Sequence, residues 1–406
     1  MDRRTVLAAG AATLATAGLS AGHPAHAGPG DVLPRIRRAL GPTAREAGVE
    51  RGDGWVRVRF TVPDGGAVPV GVDVLADTGR APRGVAYLLP GSGMNFAGNF
   101  FTPRERNLAH HFRRRGDLVV GVTPREDPAA AQDITSAWGL AAHRRDLRRV
   151  VGAVDAALGL PYRLVGHSSG AGLALDAAAH DTSPRLRQVV AIDTTGPYEG
   201  ELAMRAAQAR DAFQAQIDAG VYATDPGYKA LFARATADPG GPSDVPRPVD
   251  PATRFTHAGL AHFALIRTGT LPGTANWIYH QGHSAGTYTF GATPAGDRFT
   301  LAHSPFAVWA EAVSALGSGL IPTALRDLAA VWAGDEATYR IAWNRIRAEV
   351  TWVNMELGRG DHPRGAELIR AGGNPKVSFR VVAGHGHGDP VFSTTADRDV
   401  WPLLTP

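Results

Sequence analysis

One serine in this chain of 406 residues stands in a setting that can turn a hydroxyl into a nucleophile. Ser168 is the centre of residues 166–170, which read Gly-His-Ser-Ser-Gly. An apolar run typical of a buried strand, residues 162–165, precedes it, and a run of small apolar residues typical of a helix follows. A sharp strand-to-helix turn holds such a serine above the edge of a sheet, at the positive end of the helix dipole. The pattern therefore predicts that Ser168 is a catalytic nucleophile.

The same spacing occurs a second time around Ser284, where residues 282–286 read Gly-His-Ser-Ala-Gly. Residues 276–280 before it are compatible with a short strand, but β-branched and aromatic residues follow it and lead to a glycine and a proline. No helix is expected to begin there, so the helix N-terminus that the motif requires is missing. We expect Ser284 to lie in a loop of a cap, and it remains the weaker alternative to Ser168.

A serine hydroxyl attacks only when a base removes its proton, and two histidines near the end of the chain are candidates for that base. His385 and His387 lie in a glycine-rich segment that follows a predicted terminal strand at residues 377–382. A histidine on such a loop can reach over the sheet edge to the serine. The Gly-His-Gly-Asp form of residues 386–389 favours His387, and His385 is the alternative.

The two histidines and Asp389 are also a partial metal-binding pattern. No third converging histidine or carboxylate motif is visible in the sequence. The chain has no cysteine, which excludes disulfides, cysteine-based zinc sites, iron–sulfur clusters and a cysteine nucleophile. We therefore expect neither a metal nor a cofactor.

A carboxylate must orient the histidine and stabilise its charged form, and the sequence offers three candidates. Asp361 is preferred because it follows a predicted strand at residues 350–355 and precedes His387 by 26 positions. Glu356, at the end of the same strand, is one alternative. Asp193, at the end of an earlier strand, is the other.

Acyl transfer also needs two backbone N–H groups directed at the developing oxyanion. The first is expected from Ser169, which directly follows Ser168. The second is expected from the glycine-rich loop at residues 90–96, where Ser92 is preferred and Gly93 is the alternative. Glycines suit this loop because they let the main chain approach a substrate closely.

The segments that must position these residues alternate between apolar strands and helices. Two runs with period-two alternation, residues 55–62 and 68–75, flank a turn and predict an antiparallel hairpin. Further strands are predicted at residues 85–89, 118–122, 162–165, 189–192, 350–355 and 377–382, and helices at residues 104–115, 135–158, 171–179 and 364–371. This alternation predicts a parallel sheet with helices on both faces.

The chain divides into four segments. Residues 1–27 begin with a paired arginine, continue with an apolar run and end in a small-residue site, which predicts a secretory signal of the twin-arginine type. Residues 28–193 and 349–406 are expected to form two parts of one sheet domain. Residues 194–348 are helix-rich with proline- and glycine-rich loops, such as residues 238–251, and are interpreted as an inserted cap or lid.

Composition limits the partners of this chain. The apolar fraction of 44% is typical of a globular protein, and the net charge of +4 is dispersed. Nucleic acid is not expected as a partner because no basic stripe is present. After the signal, no run is long enough to anchor the chain in a membrane. Aromatic residues of the cap and loops predict a hydrophobic pocket: Phe96, Phe100, Phe101, Trp277, Tyr279, Phe290, Phe306, Trp309 and Trp332.

Together these features resemble the α/β-hydrolase superfamily. The resemblance rests on residues 88–93, which read Leu-Leu-Pro-Gly-Ser-Gly, on the turn at residues 166–170, and on residues 386–389. It covers most of the chain outside the cap, and the order serine, aspartate, histidine agrees with it. The resemblance implies an α/β fold with a mostly parallel, eight-stranded sheet, and hydrolysis through an acyl-enzyme. Pro90 is a departure, because many members carry a histidine there.

The sequence therefore predicts a secreted serine hydrolase that cleaves a small-molecule carboxylic ester with a hydrophobic portion. In this hypothesis Ser168 attacks, His387 transfers the proton, Asp361 orients His387, and Ser92 and Ser169 bind the oxyanion. Acyl transfer to another acceptor, including ring closure, is one alternative. A non-catalytic protein or a lyase on the same fold is another, and an amide or peptide substrate is also compatible with the sequence.

Overall fold

The computed structural model describes residues 28–63, 68–225, 227–266, 282–317 and 319–405, whose strands form one large sheet and two hairpins. The strands are β1 (Arg45–Gly52), β2 (Trp55–Val62), β3 (Val70–Asp77), β4 (Gly84–Leu89), β5 (Asp117–Thr123), β6 (Tyr162–His167), β7 (Leu186–Ile192), β8 (Pro242–Arg247), β9 (Asp250–Thr256), β10 (Gly286–Thr289), β11 (Arg298–Leu301), β12 (Glu349–Met355) and β13 (Val377–Val382).

Helices connect and flank these strands. They are α1 (Val32–Ala39), α2 (Phe96–Phe100), α3 (Leu108–Arg114), α4 (Leu140–Leu158), α5 (Ser169–Ala179), α6 (Gly200–Asp218), α7 (Tyr228–Ala237), α8 (His257–Ile266), α9 (Phe306–Ser314), α10 (Pro322–Ala333), α11 (Arg364–Ala371), α12 (Asp389–Phe392), α13 (Ala396–Asp399) and α14 (Trp401–Leu404). The predicted helices of the sheet domain are present, with ends shifted by a few residues.

The large sheet has nine strands in the order β1-β2-β3-β5-β4-β6-β7-β12-β13. Its first four strands pair antiparallel, and from β5 to β13 every pair is parallel. The predicted parallel sheet and the predicted hairpin of β2 and β3 are confirmed. The expected number of eight strands is corrected to nine. Strand β1 lies at the edge and exposes nearly all of its side chains, so it carries no apolar alternation that could have revealed it.

The central strands are buried on both faces, as their uninterrupted apolar runs predict. Along β4, Val85, Tyr87 and Leu89 belong to one apolar cluster, whereas Ala86 and Leu88 belong to the other. This alternation follows from the period of two in a strand, which sends neighbouring side chains to opposite faces. The ends of these strands are therefore held rigidly by packing on both sides.

Between β7 and β12, which are neighbours in the sheet, the chain leaves the sheet to form the block that the sequence assigned to a cap. Here α6 packs against α10, whose Leu328, Val331 and Trp332 lie in the main apolar core. This part of the insertion is thus built into the sheet domain. The loop expected at residues 238–251 is instead largely the antiparallel hairpin of β8 and β9, because strands with exposed polar side chains give no apolar pattern. The boundaries of the cap stay a prediction.

Within the described ranges, no helix has the length and apolar character needed to cross a bilayer. The predicted secretory signal at residues 1–27 lies outside the described residues. The same holds for Trp277 and Tyr279 of the expected aromatic pocket.

Candidate active site

The polar residues singled out by the sequence meet at one edge of the sheet. Ser92 follows β4, Ser168 follows β6, Asp193 follows β7, and His387 lies in the loop after β13. These strands are parallel, so their carboxyl ends point the same way, and residues just beyond them gather at a single edge. This geometry creates the candidate active site.

The backbone of Ser168 is strained. Its φ of 58° and ψ of −122° lie where side chains other than glycine are rarely found. Asp193, with φ of 47°, is the other non-glycine residue with positive φ in the described part of the chain. Such residues cost about 1–3 kcal/mol each and tend to occur at functional sites. The fold holds both Ser168 and Asp193 in place against this cost.

Glycines make the turn at Ser168 possible. A Cβ atom on Gly166 would lie 2.1 Å from the carbonyl oxygen of Gly170, and one on Gly170 would lie 2.0 Å from the carbonyl oxygen of Leu89. A Cβ on Gly91 would lie 3.2 Å from Cβ of Ser168. The turn therefore packs directly against the loop after β4, and the spacing of small residues around the serine has a steric cause.

His387 is hydrogen-bonded to Asp193. Nδ1 of His387 lies 2.5 Å from Oδ2 of Asp193, and both side chains are buried. Because the carboxylate accepts, Nδ1 carries the proton, which leaves Nε2 as the nitrogen that can accept one. Asp193 is fixed in turn by the backbone N–H of Met355, 2.7 Å from Oδ1, and by the backbone N–H of Arg359.

Burial sets the ionisation of this pair. It raises the pKa of Asp193 to about 6, against the lowering effect of the backbone N–H groups of Met355 and Arg359 and of the Arg359 charge. Burial also holds the pKa of His387 well below its usual range, and Arg359 and His283 act in the same direction. Near neutral pH the imidazole is therefore neutral, as a base must be, and Asp193 is ionised.

The structure corrects the prediction that Asp361 is the acid that orients His387. Its side chain is exposed in the loop after β12, and the carboxylate that occupies Nδ1 of His387 belongs to Asp193. Glu356 is exposed too, and its Oε2 accepts the backbone N–H of Gly384 at 2.7 Å. Strands β7 and β12 are neighbours, so an acid after either strand lies near the same edge of the sheet. The loop conformations decide which acid meets His387, and the sequence did not reveal them.

The structure also separates the two histidines. The ring of His385 stacks on His303 with centroids 4.0 Å apart, and its Nδ1 donates to the carbonyl oxygen of Ala383 at 2.9 Å. It therefore lies in a different environment from His387. The fold brings His387, and not His385, to Asp193.

A hydrogen-bonded chain that the sequence did not reveal joins the three loops of the site. The N–H of Gly91 donates to Oδ1 of Asn99 at 2.8 Å, and Nδ2 of Asn99 donates to Nδ1 of His167 at 3.1 Å. Nε2 of His167 then donates to the carbonyl oxygen of His387 at 2.8 Å. Burial lowers the pKa of His167 to about 3, so the ring is neutral and can both accept and donate. Asn99 and His167 are 68 positions apart, and no motif links them.

Asp389 links the histidine loop to the segment between β7 and β12. Its Oδ2 accepts the N–H groups of Gly386 at 2.6 Å and Ala285 at 3.0 Å, and its Oδ1 accepts the hydroxyl of Ser304 at 2.6 Å. Asp389 thus has a structural explanation in this loop. Among the described residues, no group of three or more His, Asp or Glu side chains is arranged to hold a metal ion.

The second serine motif, at residues 282–286, contacts the loop that carries His387. As expected, no helix begins after it, because β10 begins at Gly286. The carbonyl oxygen of His283 accepts the N–H of Gly388 at 2.6 Å, and Ser284 Oγ accepts the indole N–H of Trp309 at 2.8 Å. The main chain around Ser284 therefore packs on the loop that carries His387.

The two expected oxyanion donors line one small cavity of about 30 Å³. Ser169 is the first residue of α5, and the first N–H groups of a helix have no acceptor within it. Ser92 lies inside a turn that is closed by the N–H of Met94 on the carbonyl oxygen of Gly91 at 3.0 Å. Neither N–H group is therefore used in the hydrogen bonds of a helix or a strand.

Most of the aromatic residues expected in a pocket are core residues instead. Phe96, Phe100 and Phe101 are buried in an apolar cluster beside the sheet, and Trp332 is buried in the other cluster. Phe290 packs against a separate cluster within the insertion. Trp309 is buried in the same cluster as Phe96, and its ring also lies against the Gly388 backbone, next to His387.

Comparison with known proteins gives structural similarity without sequence similarity. No family model and no curated protein match the chain. The chain is similar to a candidate lipase from Sulfolobus solfataricus, with a TM-score of 0.57, 13% identity, and coverage of 89% of this chain and 95% of that chain. A peroxisomal α/β-hydrolase from Saccharomyces cerevisiae gives a TM-score of 0.46 at 9% identity, covering 86% of this chain and 83% of that chain. An α/β-hydrolase-fold protein from Nakamurella multipartita gives 0.38 at 15%, covering 83% and 95%. By its strand order, its turn at Ser168 and its similarity to the Sulfolobus structure, the chain has the α/β-hydrolase fold.

Proposed function

We propose that this protein is a serine hydrolase that cleaves a carboxylic ester through an acyl-enzyme. The observation that carries the proposal is the buried hydrogen bond between His387 and Asp193, beside the strained turn that bears Ser168. A neutral histidine, oriented by an ionised carboxylate, is the base that a serine nucleophile requires. The fold alone is compatible with several activities, so the proposal rests on these side chains.

In the first step Ser168 Oγ attacks the ester carbonyl carbon while His387 Nε2 takes the hydroxyl proton. Proton transfer requires the two atoms to come within about 2.6–3.2 Å in the reacting complex. In the described part of the chain Ser168 and His387 are not hydrogen-bonded to each other, and contacts of this kind often close only when substrate binds. His167, which directly precedes Ser168, brings the two residues near each other, because its ring centroid lies 4.7 Å from that of His387.

In the remaining steps the same groups act again, and His387 first donates a proton and then accepts one. The N–H groups of Ser92 and Ser169 bind the oxyanion, and protonated His387 gives its proton to the departing alcohol. A water molecule then transfers a proton to His387 and attacks the acyl-enzyme, and the acid leaves when the proton returns to Ser168. Asp193 stays ionised throughout and stabilises the imidazolium.

The cap side of the site favours a hydrophobic alcohol portion. The ring of His283 lies 6.2 Å from that of His387 and is flanked by Tyr228 at 6.2 Å and Trp309 at 6.3 Å. Burial, and to a smaller extent His167 and Arg359, lowers the pKa of His283 to about 4, so this wall carries no charge at neutral pH. An uncharged aromatic wall suits an apolar leaving group.

The proposal is tested with short aryl esters and a fluorophosphonate probe. Ser168→Ala should abolish labelling and reduce kcat by at least about 10⁴-fold. Ser169→Ala is the matched control, because its proposed role uses only the backbone N–H, and it should stay within about threefold of the native enzyme. Turnover or labelling that persists in Ser168→Ala would refute the proposal. Adding a competing alcohol and analysing the products distinguishes hydrolysis from acyl transfer.

We also propose that the protein is exported through the segment at residues 1–27. The support is the paired Arg3 and Arg4, the apolar run and the small-residue site that ends at Ala27. N-terminal sequencing of the exported protein should begin at Gly28. Changing both arginines to lysine should leave the precursor inside the cell. Unchanged export of that variant would argue against the twin-arginine route.

A further inference from the structure

The cavity beside the oxyanion donors is lined by six parts of the fold. They are the loop after β4, the start of α5, the end of β5, the loop after β5, α4, and the beginning of α10. Much of its lining is apolar, from Val122, Leu140, Leu173, Ile321, Ala324 and Leu328. The lining also includes Ser92 and Ser169, whose N–H groups are the proposed oxyanion donors, and Ser169 directly follows Ser168. A group bound here would therefore adjoin the ester carbonyl.

The cavity also has a polar part, which includes a buried carboxylate. Glu126 is 5% exposed, and its Oε2 lies 3.0 Å from Nε2 of His143. That bond is the one hydrogen bond of the Glu126 side chain in the described ranges. Asp146, which also lines the cavity, differs because its two oxygens are both occupied by the guanidinium of Arg125. Glu126 is thus the carboxylate with capacity to accept a further hydrogen bond.

Both carboxylates of the cavity already have a basic partner. Arg125 pairs with Asp146, and Glu126 accepts from His143. Glu126 and Asp146 raise the pKa of His143 against the effect of its burial. An uncharged donor such as a hydroxyl would satisfy the open acceptor of Glu126 without adding a charge to this buried site.

The volume limits the size of the bound group. A cavity needs about 10–15 Å³ to hold one water molecule. The observed 30 Å³ therefore corresponds to about two non-hydrogen atoms. A CH₂–OH group attached to the ester carbonyl has this size, and it carries a donor at its end.

We propose that this cavity is the acyl site and that it takes a two-carbon hydroxyacyl group, whose hydroxyl donates to Glu126. This inference rests on the proposed ester hydrolysis. The bond between Ser168 Oγ and the carbonyl carbon forms as the bond to the alcohol oxygen breaks, and the serine proton leaves with the alcohol through His387. Water then breaks the acyl-enzyme bond, which releases a short hydroxy acid and restores the serine.

The test compares a glycoloyl ester with a propionyl ester of the same aryl alcohol. Both acyl groups have two non-hydrogen atoms beyond the carbonyl carbon, and dividing by the hydroxide-catalysed rates removes their different intrinsic reactivity. The native enzyme should prefer the glycoloyl ester by at least about tenfold in corrected kcat/KM, because a site with a buried acceptor rejects a group that cannot donate. Glu126→Met should reduce that ratio toward one, because methionine has a similar length and no oxygen acceptor. Glu311→Met, on the exposed face of α9, is the matched control and should leave it unchanged.

A second variant tests the size of the site. Ala324→Leu should fill the cavity and lower kcat/KM for glycoloyl and propionyl esters relative to the acetyl ester, and circular dichroism confirms that it folds. A corrected glycoloyl-to-propionyl ratio near one in the native enzyme, or equal turnover of a hexanoyl ester, overturns the acyl-site inference while Ser168 labelling still supports the hydrolase. Absence of both labelling and turnover with every ester overturns the proposed function, and this inference with it.

Discussion

The imidazole of His167 donates from Nε2 to the main-chain carbonyl oxygen of His387, across 2.8 Å and 220 positions of sequence. The two rings also lie 4.7 Å apart. The residue before the proposed nucleophile therefore holds the loop that carries the proposed base. Through Asn99 the same bond is linked to Gly91 and the oxyanion loop.

Asn99→Ala should impair catalysis although Asn99 is not proposed to touch the substrate. It would remove the partner of the Gly91 N–H and of His167 Nδ1, and each unsatisfied buried group costs about 1–3 kcal/mol. We expect kcat to fall about 10- to 100-fold, with a smaller change in KM, as expected for misplaced reacting groups. Steady-state kinetics measure the effects on kcat and on KM separately, and the rate of fluorophosphonate labelling should fall in parallel.

Asn344→Ala, at an exposed position, is the control for this prediction. Native kcat in Asn99→Ala would show that the chain of bonds does not position the site.

The identity of the acid is tested by a pair of isosteric changes. Asp193→Asn should lower kcat by about 10⁴-fold, because the amide favours the wrong tautomer of His387. Asp361→Asn should behave like the native enzyme, since the Asp361 side chain is exposed and Asp193 is the carboxylate bonded to His387. Aryl-ester kinetics of both variants decide the matter. The reverse result would restore Asp361 as the acid.

Activity should fall in acid with a midpoint near the pKa of about 6 that burial gives Asp193. The active form needs ionised Asp193 and neutral His387. Both are lost by protonation as the pH falls, whereas a rise from neutral pH changes neither. The titration belongs to the coupled pair, and kcat/KM measured against pH reports it.

The charge of Arg359 should set the position of this acidic limb. Arg359 lowers the pKa of both Asp193 and His387, so Arg359→Gln should move the limb to higher pH. Arg359→Lys keeps the charge and serves as the control. An unshifted limb in Arg359→Gln would indicate that another group controls the profile.

The strain at Ser168 should appear as a stability difference between two inactive variants. Ser168→Gly should be more stable than Ser168→Ala by about 1 kcal/mol, because glycine relieves a strain of about 1–3 kcal/mol and loses part of that in the unfolded chain. Urea unfolding measures the difference. At exposed Arg148 within α4 the order should reverse, with the glycine variant less stable than the alanine variant. A less stable Ser168→Gly would mean that the turn is not strained.

Much of the framework follows from local sequence patterns. Apolar runs gave the buried strands, and glycine spacing gave the turn at Ser168, because both reflect short-range sterics and burial. The predictions of eight strands and of a loop at residues 238–251 were wrong because exposed strands lack such a pattern. Strands β1 and β8 expose most of their side chains, and their pairing leaves no apolar period in the sequence.

By itself, the sequence indicated the groups that could do chemistry: a serine on a tight turn, a histidine after the last strand, and two backbone N–H donors, one after the serine and one in a glycine-rich loop. Only the tertiary structure decided that Asp193, not Asp361, meets His387, and that His167 and Asn99 join the loops. It also decided that Glu126 and Ser92 line the same cavity. The physical reason is that residue type and spacing fix local backbone geometry. Contacts between loops depend on how distant strands align and on which carboxylate the packing buries.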